Sequence, residues 1–504
     1  MIFKLQKLFY KLPIFRHLPF LILSIIAIKI DLQNFWYYFI FVTIIQLIGF
    51  FISFKSFWLI IFNCLLFLFP YINHKSNNQT INTLTGNFNG KIVVENIWKI
   101  NNPKAQYITY IQQNKYLVYA KTNSKIALPN DTIWDSKMRV SEIPRFMIKD
   151  FDYGQYLIDN GFSGVIYLSK NHTIIPNKKN TIFQQFNRWR WQKINEFQTT
   201  KYLSKLNKGV YLALTFGDRG MLDFEQKQAY VQTGIFHVLA ISGLHVGIVY
   251  IVLLFLLRFL FLHNKWLQLC LVIICLALYT FMAGNSVSVT RAFFMFVLIH
   301  IGNSFALGQK TVNTTLFVAL LMLIYQPFWL FDIGFQLTFS AVLAIVIYHP
   351  KLKKFFNQKT QNKKGFILKI LHYILDLFLV SIIAFLATTP ILAYHLGIVY
   401  PMGIVLGIVF IPIFTVLVIV TLISLLLSIV VNFNYLLIIV NYFLSFLNAS
   451  VQFLAPYSPP VHINFSINSV ILLYLSGLCL LLPYKYKYFK MIVIIATLVS
   501  VLFY

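Results

Sequence analysis

The stretch that decides the fold runs from Thr233 to Gly247 and reads Thr-Gly-Ile-Phe-His-Val-Leu-Ala-Ile-Ser-Gly-Leu-His-Val-Gly. The chain before it is polar and the chain after it is almost entirely apolar, so a water-soluble part meets a membrane part here. A helical period places His237, Ile241 and His245 at i, i+4 and i+8. This spacing predicts two imidazoles on one side of one helix, about 12 Å apart along its axis.

Two interpretations of this stretch remain open at the level of sequence. Gly234, Gly243 and Gly247 have no side chains, so another backbone can approach the predicted helix closely within a membrane. An ionisable group inside a membrane is costly to bury, and the two histidines are therefore candidates for function. Alternatively, both histidines satisfy backbone carbonyls between packed helices.

The composition indicates a polytopic membrane protein rather than a globular enzyme. Of the 504 residues, 59% are apolar and 11% are charged. This length is sufficient for a helical bundle and one soluble domain. The formal net charge is +28 in a chain rich in Lys, Asn, Ile and Phe. The four cysteines, Cys64, Cys270, Cys275 and Cys479, lie within apolar runs, so no disulfide framework is predicted.

Residues 1–72 are predicted to be N-terminal transmembrane helices. Lys4, Lys7, Lys11 and Arg16 precede an apolar run over 18–30, and no small-residue cleavage site follows it. Further apolar runs occupy about 35–53 and 57–71. A basic start favours a cytoplasmic N-terminus, and three crossings then leave residue 72 outside.

Residues 73–180 are predicted to form an extracytoplasmic β-domain. Short alternating runs at 91–97, 106–111, 116–120 and 164–168 are separated by turn residues. A short helix is predicted over 151–159. A small barrel or sandwich fits this pattern, and a five-stranded barrel of the oligonucleotide-binding type fits its order and size. Such a fold does not by itself identify a ligand.

Residues 181–230 are predicted to form a basic, amphipathic, helical connector. Its cations include Arg188, Arg190, Lys193 and Lys201, interleaved with Trp189 and Trp191. Cations that follow phosphates and rings that stack on bases suit a single strand of nucleic acid. An amphipathic helix lying on the lipid of the outer leaflet gives the same pattern.

Residues 231–504 are predicted to be a transmembrane domain of ten further spans, which makes thirteen in all. The predicted spans are 237–262, 267–284, 288–306, 313–330, 333–349, 371–395, 402–430, 434–454, 468–483 and 490–504. Pro412 could bend the span at 402–430 or make it re-enter. The segment 351–369 carries seven lysines and no acid, as the positive-inside rule expects of a cytoplasmic loop.

A set of polar groups that are costly to bury lies in or beside these spans. It comprises His237, Ser242, His245, Arg291, Asp332 and Gln336. The predicted topology places most of them in the outer half of the bilayer, where they could line one cavity. Arg291 is the nearest candidate counter-ion for Asp332, although such a pair could merely hold helices together. Asp332 and Asp376 are the only acids after residue 230, so no metal site, cofactor or carboxylate-based enzyme is predicted there.

These residues resemble the signature of the ComEC competence family, membrane channels for uptake of single-stranded DNA. Beyond 233–246, the resemblance continues in four further segments over roughly residues 20–480. They are Phe216-Gly217-Asp218-Arg219; Tyr279 to Gly284 with Arg291-Ala292; Gln326 to Leu330 with Asp332-Ile-Gly334-Phe-Gln336; and Thr389-Pro390 with His395-Leu-Gly397. Phe151-Asp-Tyr153 and Tyr156-Leu157 resemble the outer oligonucleotide-barrel domain of the family.

The resemblance implies transport of one DNA strand across the inner membrane. Outer DNA receptor or pilus components would deliver it, and a cytosolic helicase would pull it inward. Membrane potential opposes inward movement of each phosphate by roughly 2.3 kcal/mol per 100 mV, and no motor is evident in the chain. The implied DNA path comprises His237, Ser242, Gly243, His245, Arg291, Asp332 and Gln336. Outer DNA contacts would be Arg188, Arg190, Lys193, Lys201 and Arg219, and structural motif positions would be Gly217, Asp218, Gly234, Gly284, Gly334 and Pro390.

Two departures from the family pattern qualify this expectation. The chain carries no His-x-His-x-Asp-His run of a metallo-β-lactamase-like domain, so any strand-degrading nuclease is expected to be a separate protein. Gly407 stands where relatives often have asparagine before the proline of a late helix. Two other functions stay open: a transporter of another anionic polymer or lipid, and a membrane serine hydrolase that uses Ser242 with His245.

Overall fold

The structure, a computed structural model, describes residues 85–480 apart from short gaps, together with Leu21, Ile22, Ile25 and Met491. The gaps are 102–103, 112–113, 122–125, 145–146, 149–150, 153, 155–156, 159–161, 178–180, 240, 260–263, 305–310, 359–365 and 431–434. The predicted N-terminal spans therefore lie almost wholly outside the described residues, as does the span at 490–504. Leu21 and Ile25 are helical and buried against Leu316 and Phe339 of the bundle.

Strands fill the first part of the described chain. They are β1 (Gly86–Val93), β2 (Asn96–Asn101), β3 (Lys104–Ile111), β4 (Asn114–Lys121), β5 (Thr132–Ser141), β6 (Met147–Ile148), β7 (Phe151–Asp152), β8 (Phe162–Tyr167) and β9 (Thr173–Ile175). The predicted helix over 151–159 begins instead with β7, which pairs with β6. Gly154, Leu157 and Ile158 are helical.

The main sheet is curved into a half-barrel. Its strand order is β1-β5-β8-β4-β3-β2, with β9 on the side of β5. All these pairs are antiparallel except β4 with β8. Only Val94 and Glu95 separate β1 from β2, so both ends of the path belong to one nearly continuous stretch. Tyr107, Tyr116 and Ile133 fill the inner side and are fully buried.

Helices make up the rest. They are α1 (Ile182–Thr199), α2 (Lys205–Phe216), α3 (Phe224–Gln232), α4 (Phe236–Leu239), α5 (Gly243–Phe259), α6 (Lys265–Met282), α7 (Val287–Ser304), α8 (Thr311–Tyr325), α9 (Ile333–Gln358), α10 (Phe366–Leu396), α11 (Met402–Val430), α12 (Leu436–Leu454) and α13 (Ile467–Leu480). Two 3₁₀ turns, Pro327–Phe331 and Ala455–Tyr457, and a small ladder of β10 (Ile398–Val399) with β11 (Val461–His462) complete the described part of the chain.

Four of the described helices are long and apolar enough to cross a membrane. Their apolar segments are Ile333–Phe356, His372–Leu396, Met402–Ile429 and Leu436–Tyr457. Five shorter apolar helices, α5 to α8 and α13, accompany them. This is the composition of a membrane protein, as predicted. α11 runs through Pro412 without a break, so the predicted possibility of a re-entrant segment is wrong.

Side-chain and backbone contacts bring the turns at 283–286, 326–332, 397–401 and 455–466 to one end of the bundle, together with the start of α5. Arg291 bonds to Gly334, and Gln336 bonds to His395. Gly243 faces Ala292, and Gly397 faces Asn464. The β10–β11 ladder joins two of these turns directly. We call this the motif end, since it gathers the sequence motifs around Gly234, Gly284, Asp332 and Gly397.

One helix of the predicted connector, α2, is packed into the bundle. Every residue of α2 from Gly209 to Phe216 is buried. The Asn207 amide donates to Asn441 Oδ1 at 2.8 Å and to Ser445 Oγ at 2.7 Å. Asn448 of α12 donates back to Asn207 and accepts from the Tyr230 hydroxyl. Such satisfied buried networks fix the packing of the helices that carry them.

Candidate functional site

The chain breaks its helix in the middle of the stretch 233–247. His237 lies on the short α4, is exposed, and its Nδ1 is 3.1 Å from the carbonyl of Gly234. His245 lies on α5, which begins only at Gly243, and it is fully buried. The prediction that both imidazoles share one helix face is therefore wrong.

The physical reason for the break is a helix cap built from Ser242 and His245. The carbonyl of Ser242 accepts the first helical hydrogen bond, from Val246. The N–H of Ser242 donates to Nδ1 of His245 at 3.2 Å, and its Oγ lies 3.1 Å from the same nitrogen. This is the return half of a capping box, with histidine in the third helical position where glutamate is usual.

This cap determines the tautomer of His245. Because Nδ1 accepts a backbone hydrogen bond, the proton of the neutral ring lies on Nε2. Nε2 is buried and has no hydrogen-bond partner among the described residues. A buried donor without a partner is unfavourable by about 1–3 kcal/mol, so His245 holds a hydrogen-bond donor ready for a ligand or water.

Arg291 of α7 is the largest fully buried side chain in the described chain and joins α7 to α9. Its Nη1 donates to the carbonyl of Gly334 at 2.6 Å, and its Nη2 donates to the hydroxyl of Thr338 at 2.5 Å. The guanidinium carbon lies 5.9 and 5.6 Å from the ring centres of Phe335 and Phe339. Its Nε has no partner within the described part.

Asp332 caps the N-terminus of α9. Its Oδ1 accepts from the N–H of Phe335 at 2.7 Å, and its carbonyl accepts from Gln336. A carboxylate at this position also interacts favourably with the helix dipole. The expected direct pairing with Arg291 does not form, because Arg291 is bound to Gly334 and Thr338. Arg291 and Asp332 nonetheless both form hydrogen bonds with the backbone of the first turn of α9.

Gln336 links this turn to the end of α10. Its Nε2 donates to the carbonyl of Leu330 at 3.0 Å, and its Oε1 lies 3.0 Å from Nε2 of His395. Because the amide nitrogen is already donating, the Gln336 oxygen accepts and His395 Nε2 carries the proton. The predicted path does not include His395, which lies in the sequence motif before Gly397.

The motif glycines allow close approach of backbones. Gly217, Gly234 and Gly284 all have positive φ, between 71° and 80°. A side chain at Gly217 would lie 2.6 Å from the carbonyl of Ala283, and one at Gly234 would lie 2.7 Å from Cα of Gly403. The motif end is therefore held together by contacts that only glycine permits.

The remaining motif positions have smaller local roles. Asp218 accepts from the N–H of Gly220 at 3.0 Å. Gly334 lies in the first turn of α9, where a side chain would approach Oδ1 of Asp332 to 3.0 Å. Gly243 begins α5 and faces Ala292 of α7, and Pro390 lies inside α10.

The structure removes Arg190 from the predicted outer DNA contacts. Arg190 is buried, and it donates to the carbonyls of Met282 at 2.7 Å and Phe216 at 2.6 Å, which close α6 and α2. Burial lowers the pKa of Arg190 to about 10, against the opposing charge of Asp218, so the guanidinium stays protonated at neutral pH. Arg188 pairs with Asp131 of the β-domain at 2.5 Å.

The other predicted outer cations are more accessible. Lys193 pairs with Glu196 at 2.7 Å, and Lys201 is exposed. Arg219 is exposed as well, with its guanidinium carbon 5.6 Å from the ring centre of Phe236. Among the residues the structure describes, no group of three or more His, Cys, Asp and Glu side chains could hold a metal ion.

Comparison with known proteins gives two kinds of similarity. The sequence profile described as Competence protein matches residues 214–488. "ComE operon protein 3" of Bacillus subtilis (strain 168) is 30% identical over 197 residues, which are 39% of this chain and 23% of that protein. An "Uncharacterized protein" of Aquifex aeolicus (strain VF5) is 28% identical over 228 residues, which are 43% of this chain and 50% of the relative.

These similarities have clear bounds. The chain spans half or less of the length of each of these two relatives. No solved structure matches the chain. The family profile, however, covers more than half of the chain, from the end of α2 through α13, and includes every helix of the motif end. The chain therefore belongs to the competence protein family.

Proposed function

We propose that this chain conducts single-stranded DNA across the cytoplasmic membrane during DNA uptake. One observation carries the proposal: the polar residues of an otherwise apolar bundle converge at its motif end, where α1 attaches the β-domain. Membership of the competence family supports the choice of DNA as the substrate. Polar groups buried in a membrane domain are expensive and are kept where a substrate passes.

Two buried donors at the motif end suit a phosphate backbone. His245 offers an N–H without a partner, and Arg291 offers a fixed positive charge with a free Nε. Hydrogen bonds from such groups to phosphate oxygens are charge-assisted and independent of base sequence. Gln336 and His395 add polar edges next to them. Together they would replace part of the hydration that a strand loses on leaving water.

The β-domain would receive the strand outside the membrane. Its five long strands, counting β1 and β2 as one, follow a path with a single parallel pair, which agrees with a barrel of the oligonucleotide-binding type. Arg188, Lys193, Lys201 and Arg219 remain candidate contacts on the connector. An outer DNA receptor or pilus component would supply the DNA. A cytosolic helicase would supply the work against the membrane potential.

Serine hydrolysis is the weaker alternative, although Ser242 and His245 lie within hydrogen-bond distance. A catalytic histidine needs its second nitrogen held by an orienting group, whereas Nε2 of His245 has no partner among the described residues. In addition, Nδ1 accepts the backbone N–H of Ser242. Labelling of Ser242 by a fluorophosphonate probe would favour hydrolysis over transport.

A matched pair of substitutions at His245 tests the transport proposal. Asparagine places an acceptor near Nδ1 but nothing at Nε2, whereas glutamine extends an amide donor to the position of Nε2. In a naturally competent bacterium that carries this chain in place of its own channel, uptake of labelled DNA is measured for His245→Asn and His245→Gln. We expect at least a tenfold loss with asparagine and substantial uptake with glutamine.

Membrane levels of each variant, determined by immunoblot, serve as the control. Equal uptake by both variants and the unaltered chain would remove His245 from the path. If the unaltered chain itself supports no DNA uptake while another anionic polymer or a lipid is transported, the proposed substrate is wrong.

A further inference from the structure

A row of side chains crosses the β-domain from strand to strand. In the observed register Gln106 of β3 faces Tyr119 of β4, Tyr119 faces Tyr167 of β8, and Tyr167 faces Arg139 of β5. Residues in register project from the same side of a sheet. Three adjacent strand pairs thus place an amide, two phenols and a guanidinium in one line.

The row lies on the outer side of the sheet. The alternate residues Val118, Met138 and Ile166 belong to the buried inner core, so their neighbours along each strand point the other way. Arg139 is exposed, and Tyr167 is 40% exposed. Apolar contacts cover the next positions on this side, Leu117 and Val165, and Tyr119 packs against them. Tyr167 and Arg139 lie outside this cover and are exposed.

The two tyrosines form a platform. Their ring centres are 5.3 Å apart and the planes differ by 15°, a stacked geometry. Tyr119 is half-buried against the sheet, so the accessible ring is that of Tyr167. Arg139, next to it in register, makes no hydrogen bond or ion pair with any described residue. A flat ring beside an unpaired cation is the combination that binds a base and its phosphate.

A cleft of about 370 Å³ adjoins the cationic end of the row. Asn87, Arg139 and Glu142 line it with polar groups. Its volume lies within the range of small-ligand sites, about 300–1,000 Å³. The carboxylate of Glu142 repels a phosphate, so the phosphate would bind beside Arg139. The amide of Asn87 would then contact a sugar or a base edge.

We propose that the row Gln106, Tyr119, Tyr167 and Arg139 is a docking site for single-stranded DNA, in which a base stacks on Tyr167 and a phosphate pairs with Arg139. The proposal deepens the proposed function and rests on it. A duplex is excluded because its bases are already stacked on one another.

Two probes separate the stacking contact from the charge contact. The full chain in detergent or nanodiscs is titrated with a fluorescent thymidine 15-mer and with an abasic 15-mer of equal charge. Tyr167→Leu should weaken binding of the thymidine strand at least fivefold and leave abasic binding unchanged, because base stacking on an aromatic residue is removed. Tyr167→Phe, which keeps the ring, should bind like the unaltered chain.

Arg139→Ala should weaken both probes alike. It should also lower the slope of log K against log salt by about 0.7, the change expected for one phosphate contact on a single strand. As controls, Tyr202→Leu removes another exposed tyrosine and Lys205→Ala removes another exposed cation, both on the connector. Neither control should alter the affinity by more than about twofold.

Three results would overturn the proposal. Unchanged thymidine binding by Tyr167→Leu excludes the platform, and equal losses on both probes show a general structural effect instead. Equal affinity of the unaltered chain for duplex DNA excludes selection of a single strand. If these variants bind and transport normally, only the docking site fails; if the unaltered chain transports no DNA, the proposed function fails with it.

Discussion

Arg291 of α7 donates a 2.6 Å hydrogen bond to the carbonyl of Gly334 in the first turn of α9. The carbonyl belongs to the same turn that Asp332 caps. One buried cation and one carboxylate thus organise a single helix start without bonding to each other. Because α7 and α9 are not consecutive in the sequence, the hydrogen bond from Arg291 is one of the contacts that hold the motif end together.

Arg291→Ala is expected to lower the free energy of unfolding by about 2–5 kcal/mol, since it removes two hydrogen bonds made by a buried charge. Arg291→Lys can keep one of them and should lose less. Thermal unfolding of the purified chain in detergent measures both variants. Arg258→Ala, an exposed arginine on the same apolar bundle, is the control and should change little. An equal effect of Arg258→Ala and Arg291→Ala would contradict the assignment.

Arg190 is expected to act on stability and not on DNA affinity. Arg190→Ala leaves the carbonyls of Phe216 and Met282 without their donor and should lower the unfolding temperature by several degrees. The DNA affinity of the folded fraction should stay within about twofold. Fluorescence anisotropy with a thymidine 15-mer measures the affinity. Loss of affinity at unchanged stability would return Arg190 to the DNA-binding set.

Gly234→Ala is expected to destabilise the motif end. Its φ of 71° disfavours alanine by about 1–2 kcal/mol, and the new methyl would meet Cα of Gly403 at 2.7 Å. Gly477→Ala, on α13, provides the matched substitution, because its methyl would meet only the Tyr348 hydroxyl at 3.6 Å. Both are compared by thermal unfolding, and a Gly234→Ala protein as stable as Gly477→Ala would refute the close contact.

Gln336 and His395 are expected to be energetically coupled across α9 and α10. The single variants Gln336→Ala and His395→Ala should not be additive in the double variant, with a coupling of about 0.5–2 kcal/mol. Chemical denaturation of the four proteins measures it. Additivity within about 0.3 kcal/mol would show that the 3.0 Å contact contributes nothing.

Local features of the fold could be read from the sequence, and long-range ones could not. The apolar runs after residue 230 predict the observed helices, and alternation predicts strands such as β3 and β4. Ser242 before Gly243 and Asp332 before Ile333 are capping signals, and the first of them indicates that a new helix begins after His237. The capping signal at Ser242 competes with the helical periodicity of the apolar residues in 233–247, which continues through the break between α4 and α5.

The errors concern partners that are distant in sequence. Arg190 contacts Met282, 92 positions away, and Gln336 contacts His395, 59 positions away. A cation on a helix has the same sequence pattern whether it faces DNA, lipid or a buried carbonyl. Only the packing of α1 on α2 and α6 separates these cases. For the same reason the row of Tyr119, Tyr167 and Arg139 becomes visible only once the strand register is known.

The most direct measurement is flux into liposomes that contain this chain and an encapsulated quenched probe complementary to an external DNA strand. Hybridisation in the lumen traps each arriving strand and replaces the pull of a motor. We predict a saturable signal with single-stranded DNA, none with duplex, and at least a tenfold reduction with His245→Asn. A signal no greater than that of empty liposomes, or an equal signal from duplex, would contradict a single-strand path through this bundle.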